Sequence, residues 1–394
     1  MRQFRIGSAF GIPIKLDLTF LIILPLFAWI IGSQVELWIG QLEQLWGVAL
    51  DPAVLTAGAT PWLLGAAAAI GLFAGVVLHE LGHSLVAMRY GYPIESITLW
   101  IFGGIAQLSD MPEDWHQELF IALAGPAVSI VLGALCYVGF VALPTGLDVL
   151  QFLFGYLALM NLVLAAFNLL PGFPMDGGRV LRALLARNRP FARATQIAAE
   201  VGKGFAFLLG LLGLLQFNII LIGIAFFIYI GASGEAQQTV MKAAFEGVMV
   251  RDVMTPAEQV NAVPADTSVA ALIDRMFSER HTGYPVMRDD ELVGLVTLED
   301  AQSVRPVERD AFTVEEVMST DLTTIDADAD AMNAFQRMQQ NGIGRLIVVN
   351  RANEFVGLIT RSDLMKAFTI IQSSGALARP RESLDDRLAP DRTP

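Results

Sequence analysis

The pentapeptide His79-Glu80-Leu81-Gly82-His83 carries the chemistry most plainly written in this chain. Residues i and i+4 share one helix face, so His79 and His83 can offer two ring nitrogens to one cation while Glu80 keeps a free carboxylate beside them. That is the spacing of a hydrolytic zinc centre. The metal takes two or three such ligands and an open position for water, whose pKa it lowers, and a carboxylate receives the proton as the water attacks a carbonyl. The competing reading is a pair of buried histidines satisfied by their neighbours. With only four histidines in the chain, a chance match is expected in on the order of one in several hundred such chains.

The surroundings sharpen this. No residue from Pro61 to Leu78 is charged, a run long enough for most of a membrane-spanning helix. An ionisable group at bilayer depth costs roughly 2.5 to 3.5 kcal/mol even on lenient scales, so it marks a functional site. Arg89 follows ten residues after His79, which places the histidine about 15 Å inside the membrane boundary.

Composition sets the frame. The 394 residues are 54% hydrophobic and 16% charged, too apolar for an ordinary soluble protein and too long for one domain. Residues 1–234 hold 13 acids and 10 bases, and residues 235–394 hold 26 and 16, so a polar, acidic domain begins near Glu235. That balance argues against a nucleic-acid partner, which wants a basic face. Four lysines against 22 arginines, with abundant aspartate, fit a salty cytoplasm or the coding bias of a GC-rich genome. The single cysteine, Cys136, excludes a disulfide within the chain and reads as a packing residue. No cleavable signal peptide is expected, because the first apolar run is long and lacks a small-residue cleavage pattern.

Six spans are expected, near residues 18–34, 62–88, 118–143, 149–170, 196–215 and 217–233. Every lysine and arginine before residue 234 then falls at a cytoplasmic end if the amino terminus is inside, while the outer loops 35–61 and 144–148 contain none, as the positive-inside rule requires. The carboxy-terminal domain returns to the cytoplasm. Between the second and third spans, Ser96 to Leu108 mixes β-branched and aromatic residues with Gly103-Gly104, reading as a short sheet or re-entrant hairpin, or else as a plain interfacial loop.

The fourth span ends in NLVLAAFNLLPGFPMDGG, where Pro171 and Pro174 break the helix and deliver Asp176. Its carboxylate either completes a His-His-Asp ligand set or caps the next helix; two otherwise unpaired histidines in an uncharged helix favour the metal. Asn168 could present its amide to a carbonyl oxygen that turns negative during attack, or hydrogen-bond between helices.

HELGH in one membrane helix and FNLLPGFPMDGGR in a later one together resemble the site-2 protease family of intramembrane zinc metalloproteases, as does the AGPAVSI run at Ala124 to Ile130. The resemblance covers residues 1–234. It implies that His79, His83 and Asp176 bind one zinc ion, that Glu80 is the general base and acid, and that Asn168 helps hold the substrate strand or oxyanion. It implies substrates that are single-span membrane proteins, unwound locally before they are cut, and Ser96 to Leu108 is the expected strand edge that receives them. Members often carry a PDZ domain in an outer loop; the longest outer loop here, about 27 residues, is too short for one.

The remaining sequence repeats itself. VRDVMT at Val250 recurs as VEEVMS at Val314, and GLVTLED at Gly294 recurs as GLITRSD at Gly357, implying two copies of one unit. They resemble a CBS-domain pair, a module that in many proteins binds adenine nucleotides. Carried over, the resemblance makes Thr297 and Asp300 in one copy, and Thr360 and Asp363 in the other, candidates to meet phosphate and ribose of ATP, ADP or AMP; the alternative is that the threonines only cap the following helices. His116 and His281 read as surface residues.

The sequence thus predicts a polytopic α-helical membrane protein of about six transmembrane helices with a cytoplasmic α+β tandem CBS-domain module: a metalloprotease domain over 1–234, a linker over 235–248, CBS domains over 249–305 and 312–370, and a disordered tail over 371–394. The expected activity is zinc-dependent cleavage of transmembrane segments at the cell membrane, gated by nucleotide or by dimerisation through the CBS pair. The competing class is a CBS-regulated ion transporter or channel whose intramembrane histidines and aspartate line an ion path.

Overall fold

A computed structural model of the chain describes residues 3–100, 103–108, 114–289 and 291–373. Two compact units divide at Gln237 and Gln238.

The first unit opens with a hairpin of β1 (Gln3–Ala9) and β2 (Ile12–Asp17), turned at Phe10 and Gly11, both in the left-handed region. Asp17 then accepts from the Thr19 amide and hydroxyl at 3.0 and 2.8 Å, fixing the chain's entry into α1 (Phe20–Ser33). The segment read as an outer loop is instead largely helical. Here α2 (Val35–Trp46) turns 69° away from α1, and α3 (Pro52–Leu55) follows. Val35, Ile39 and Leu42 lie on one face of α2 and bury against Phe152 and Tyr156, and that amphipathic stripe is what folds the loop down.

Five long apolar helices follow: α4 (Thr60–Arg89), α5 (Trp115–Ala142), α6 (Asp148–Asn168), α8 (Phe191–Leu215) and α9 (Ile219–Phe245), with the short α7 (Asp176–Ala186) between α6 and α8. These five have the length and composition to cross a membrane, and the bent α1–α2 pair makes a sixth. Their outward faces agree: Ile219 is 82% exposed, Phe207 72% and Phe226 67%, surfaces that need lipid rather than water. The last helix runs well past the expected end of its span, so residues 235–245, read as linker, are helical.

Between α4 and α5, β3 (Ile94–Trp100) and β4 (Gly103–Leu108) form the hairpin that the sequence suggested, not a plain loop. They join the amino-terminal hairpin in one sheet of order β1-β2-β3-β4, with β2 parallel to β3 in the register Ile14 to Ile97. Ile97 and Leu99 point the same way from β3 and pack on Leu81 and Phe73 of α4. The sheet therefore lies along the helix that carries HELGH, with β4 at its edge.

The second unit contains two sheets whose strands are exchanged between the repeats. Thr255 pairs with Leu358, and Ser319 pairs with Leu295. The repeated motifs meet crosswise: a Cβ on Gly294 would strike the Met318 sulfur at 2.4 Å, and one on Gly357 would stand 2.5 Å from the Thr255 carbonyl oxygen and 3.0 Å from the Met254 sulfur. Each copy's Val-Met segment thus closes the other copy's sheet. The final helix, Arg361–Ser373, runs three residues into the expected tail; residues 374–394 lie outside the described residues.

Candidate metal centre

α4 places His79 and His83 one turn apart, and they are 3% and 5% exposed. Asp176 is the first residue of α7, yet its side chain does not cap that helix. It turns to the histidines instead, its Oδ2 lying 3.1 Å from Nε2 of each. The two Nε2 atoms are 3.2 Å apart. Ligands of a tetrahedral ion bonded at about 2.05 Å are separated by roughly 3.3 Å, so the three atoms have the spacing at which they would hold one zinc ion between them. Among the described residues they form the one group of three such donors close enough to share an ion.

The imidazoles are oriented from behind by α5. Nδ1 of His83 lies 2.7 Å from the carbonyl oxygen of Ile121. A carbonyl only accepts, so Nδ1 carries the proton and Nε2 presents a bare lone pair to the triangle. Nδ1 of His79 meets Ser129 Oγ at 2.9 Å. Between these contacts lies Gly125, whose Cβ would stand 2.2 Å from His83 Nε2 and 2.7 Å from His79 Nε2. Ile121, Gly125 and Ser129 succeed one another at helical spacing and form a single stripe. Sequence reading missed all three as site residues, though the AGPAVSI run contains two of them.

Glu80 is half-buried, within Coulombic reach of His83, His79 and Asp176, with its stem under β4, where a Cβ on Gly104 would stand 2.6 Å from Glu80 Cγ. Asn168 is not joined to this group by a hydrogen bond; its Nδ2 donates to the Leu164 carbonyl of its own helix at 3.0 Å.

In the second unit the four expected residues meet in pairs. Asp300 Oδ2 accepts from the Thr297 amide and hydroxyl at 2.8 and 2.7 Å, and Asp363 Oδ2 from those of Thr360 at 3.0 and 2.7 Å. Both are capping boxes, the alternative role weighed above. Sequence reading also missed Arg345, which reaches from the second copy to Thr282 Oγ1 in the first at 3.0 Å. Burial lowers its guanidinium pKa, and the opposing charge of Asp300 raises it. His116 and His281 are exposed, with 60% and 54% of their side chains open.

Comparison with known proteins agrees with this layout. Peptidase family M50 is matched over residues 67–149 and 145–210, and the CBS domain over 250–305 and 314–370. A zinc metalloprotease of Methanocaldococcus jannaschii is 33% identical over 368 residues, 93% of this chain and 96% of its own. Stage IV sporulation protein FB of Bacillus subtilis is 29% identical over 161 residues, 38% of this chain and 54% of its own. The solved site-2 protease from Methanocaldococcus jannaschii is 36% identical, with 60% of this chain and 95% of that one covered at a TM-score of 0.41. The chain belongs to peptidase family M50, the site-2 proteases, and is a multi-pass zinc metalloendopeptidase with a CBS-domain pair. The transporter reading is set aside.

Proposed function

We propose that this protease holds one zinc ion with His79, His83 and Asp176 and cuts peptide bonds inside the transmembrane segments of single-span membrane proteins. The observation that carries the reading is the triangle of Nε2, Nε2 and Oδ2, with the Nε2 of His83 kept bare by the Ile121 carbonyl. When bound there, zinc supplies a Lewis acid and an acidified water. Glu80 takes the proton from the attacking water and hands it to the departing amide nitrogen. The outer edge of β4, beside Glu80, pairs with the unwound substrate as an added strand. Asn168 serves the oxyanion by leaving its Leu164 partner once substrate is bound.

The amino terminus and the CBS pair lie in the cytoplasm, as the distribution of lysine and arginine supports. The CBS pair binds adenine nucleotide: Asp300 and Asp363 engage their threonines through Oδ2 alone, which leaves one oxygen of each for ribose hydroxyls, and Arg345 supplies charge for phosphate. Nucleotide binding or pairing of two CBS modules reaches the protease through α9, which is unbroken from Ile219 to Phe245.

The test is Glu80→Gln in the full chain, co-expressed with candidate single-span proteins. Zinc content stays at one per chain and the cleavage fragment disappears. A fragment that persists at the wild-type rate, or wild-type protein without stoichiometric zinc, overturns the assignment.

A further inference from the structure

The helix α7 has eleven residues, and only its first reaches the triangle. Its position is set elsewhere, by Arg182, the largest fully buried side chain among the described residues at 1% exposure. Nε of Arg182 donates to Glu118 Oε1 at 2.6 Å, Nη2 pairs with the same oxygen, and Nη1 donates to Glu235 Oε1 at 2.7 Å. The guanidinium is flanked by the rings of Phe173 and Phe191, 4.9 and 4.7 Å from their centroids. One cation thus ties α7 to α5 and α9 and also grips Phe173, in the segment that delivers Asp176. Arg179, one turn earlier, lies within reach of the same two acids, so the cluster is close to neutral.

Glu118 stands one turn before Ile121 on α5 and continues the stripe that orients both histidines. A single face of α5 therefore fixes the imidazoles directly and the carboxylate at one remove. We infer that Arg182 is a positioning residue for Asp176: the Glu118–Arg182–Glu235 triad sets the register of α7 against α5 and α9 and so holds Oδ2 at bonding distance from the metal. The inference rests on the metal assignment above. A buried ion triad that served stability alone would leave the metal's geometry untouched when altered.

Cobalt(II) distinguishes the two, because its visible absorption reports coordination geometry. Full-length protein in detergent is loaded with cobalt, and its affinity is measured against a competing chelator. Wild type takes one cobalt per chain with a tetrahedral band. Arg182→Met, which keeps an unbranched side chain between the two rings, shifts and weakens the band and lowers affinity by at least about tenfold, the scale of supports behind metal ligands. Glu235→Gln shifts it in the same direction by less. A wild-type band and affinity in both variants overturn the inference while leaving the metal assignment standing. If Arg182→Met does not fold, Glu235→Gln decides alone by the same criterion. Wild-type protein that takes up no cobalt refutes the metal assignment, and this inference with it.

Discussion

Gly125 leaves α5 bare directly against His83: a methyl group there would stand 2.2 Å from Nε2, the atom that faces Asp176. Both histidines crowd the same spot, so neither can yield to the other. Gly125→Ala will displace them, costing about 1–3 kcal/mol as an overpacked site, and zinc measured on purified protein will fall well below one per chain with cleavage down by at least about 100-fold. Gly223→Ala is the control, since nothing lies within 4 Å of a Cβ there; retention of zinc and activity in Gly125→Ala would show that the packing around Nε2 is unimportant.

The two histidines differ in how their second nitrogen is held. His83 leans on a main-chain carbonyl that no substitution removes, but His79 leans on the Ser129 hydroxyl. Ser129→Ala leaves that ring free to turn, and zinc affinity measured by chelator competition will drop roughly 10- to 100-fold. Ser129→Thr, which keeps the hydroxyl, will recover most of it. Equal affinities for the alanine variant and wild type would refute this support.

Gly104 presses on the stem of Glu80, with 2.6 Å between its would-be Cβ and Cγ. Gly104→Ala will move the carboxylate and leave the three proposed zinc ligands, His79, His83 and Asp176, in place. Turnover of a model transmembrane substrate will fall at least about tenfold, while zinc content stays at one per chain. Loss of zinc in step with turnover would mean that β4 supports the whole centre and not Glu80.

What the sequence disclosed follows from how locally each feature is determined. His79, Glu80 and His83 share one helix, and their polarity stands out against the apolar run before them, so their grouping was legible at once. Asp176 was legible because the prolines on either side of Gly172 end α6 and force a new helix to start. The support from Ile121 was not legible, because a carbonyl oxygen has no side-chain signature and its role exists only once α5 lies against α4. Gly125 and Ser129 sat inside a noticed motif, yet a bare helix face carries no meaning until its neighbour is known. Likewise α2 reads as a loop until Phe152 and Tyr156 offer a surface for its apolar stripe. The strand exchange between the repeats left a trace in the recurring Val-Met and Gly-Leu motifs, but repetition alone does not say that each copy completes the other.

The CBS residues make a separable prediction, because capping and ligand binding draw on different atoms. Asp300→Ala removes a capping box and will destabilise the unit by about 1 kcal/mol with no ligand present. Arg345→Ala leaves both boxes intact, since its hydrogen bond runs to Thr282. Nucleotide at about 100 times its Kd stabilises a binding-competent protein by about 2.7 kcal/mol. Thermal unfolding of the full chain with ATP, ADP and AMP will therefore show an upward shift in wild type, less than half of it in Arg345→Ala, and a lowered baseline with a reduced shift in Asp300→Ala. If none of the three nucleotides moves the wild-type transition, the aspartates are caps and nothing more, and the nucleotide-binding proposal falls.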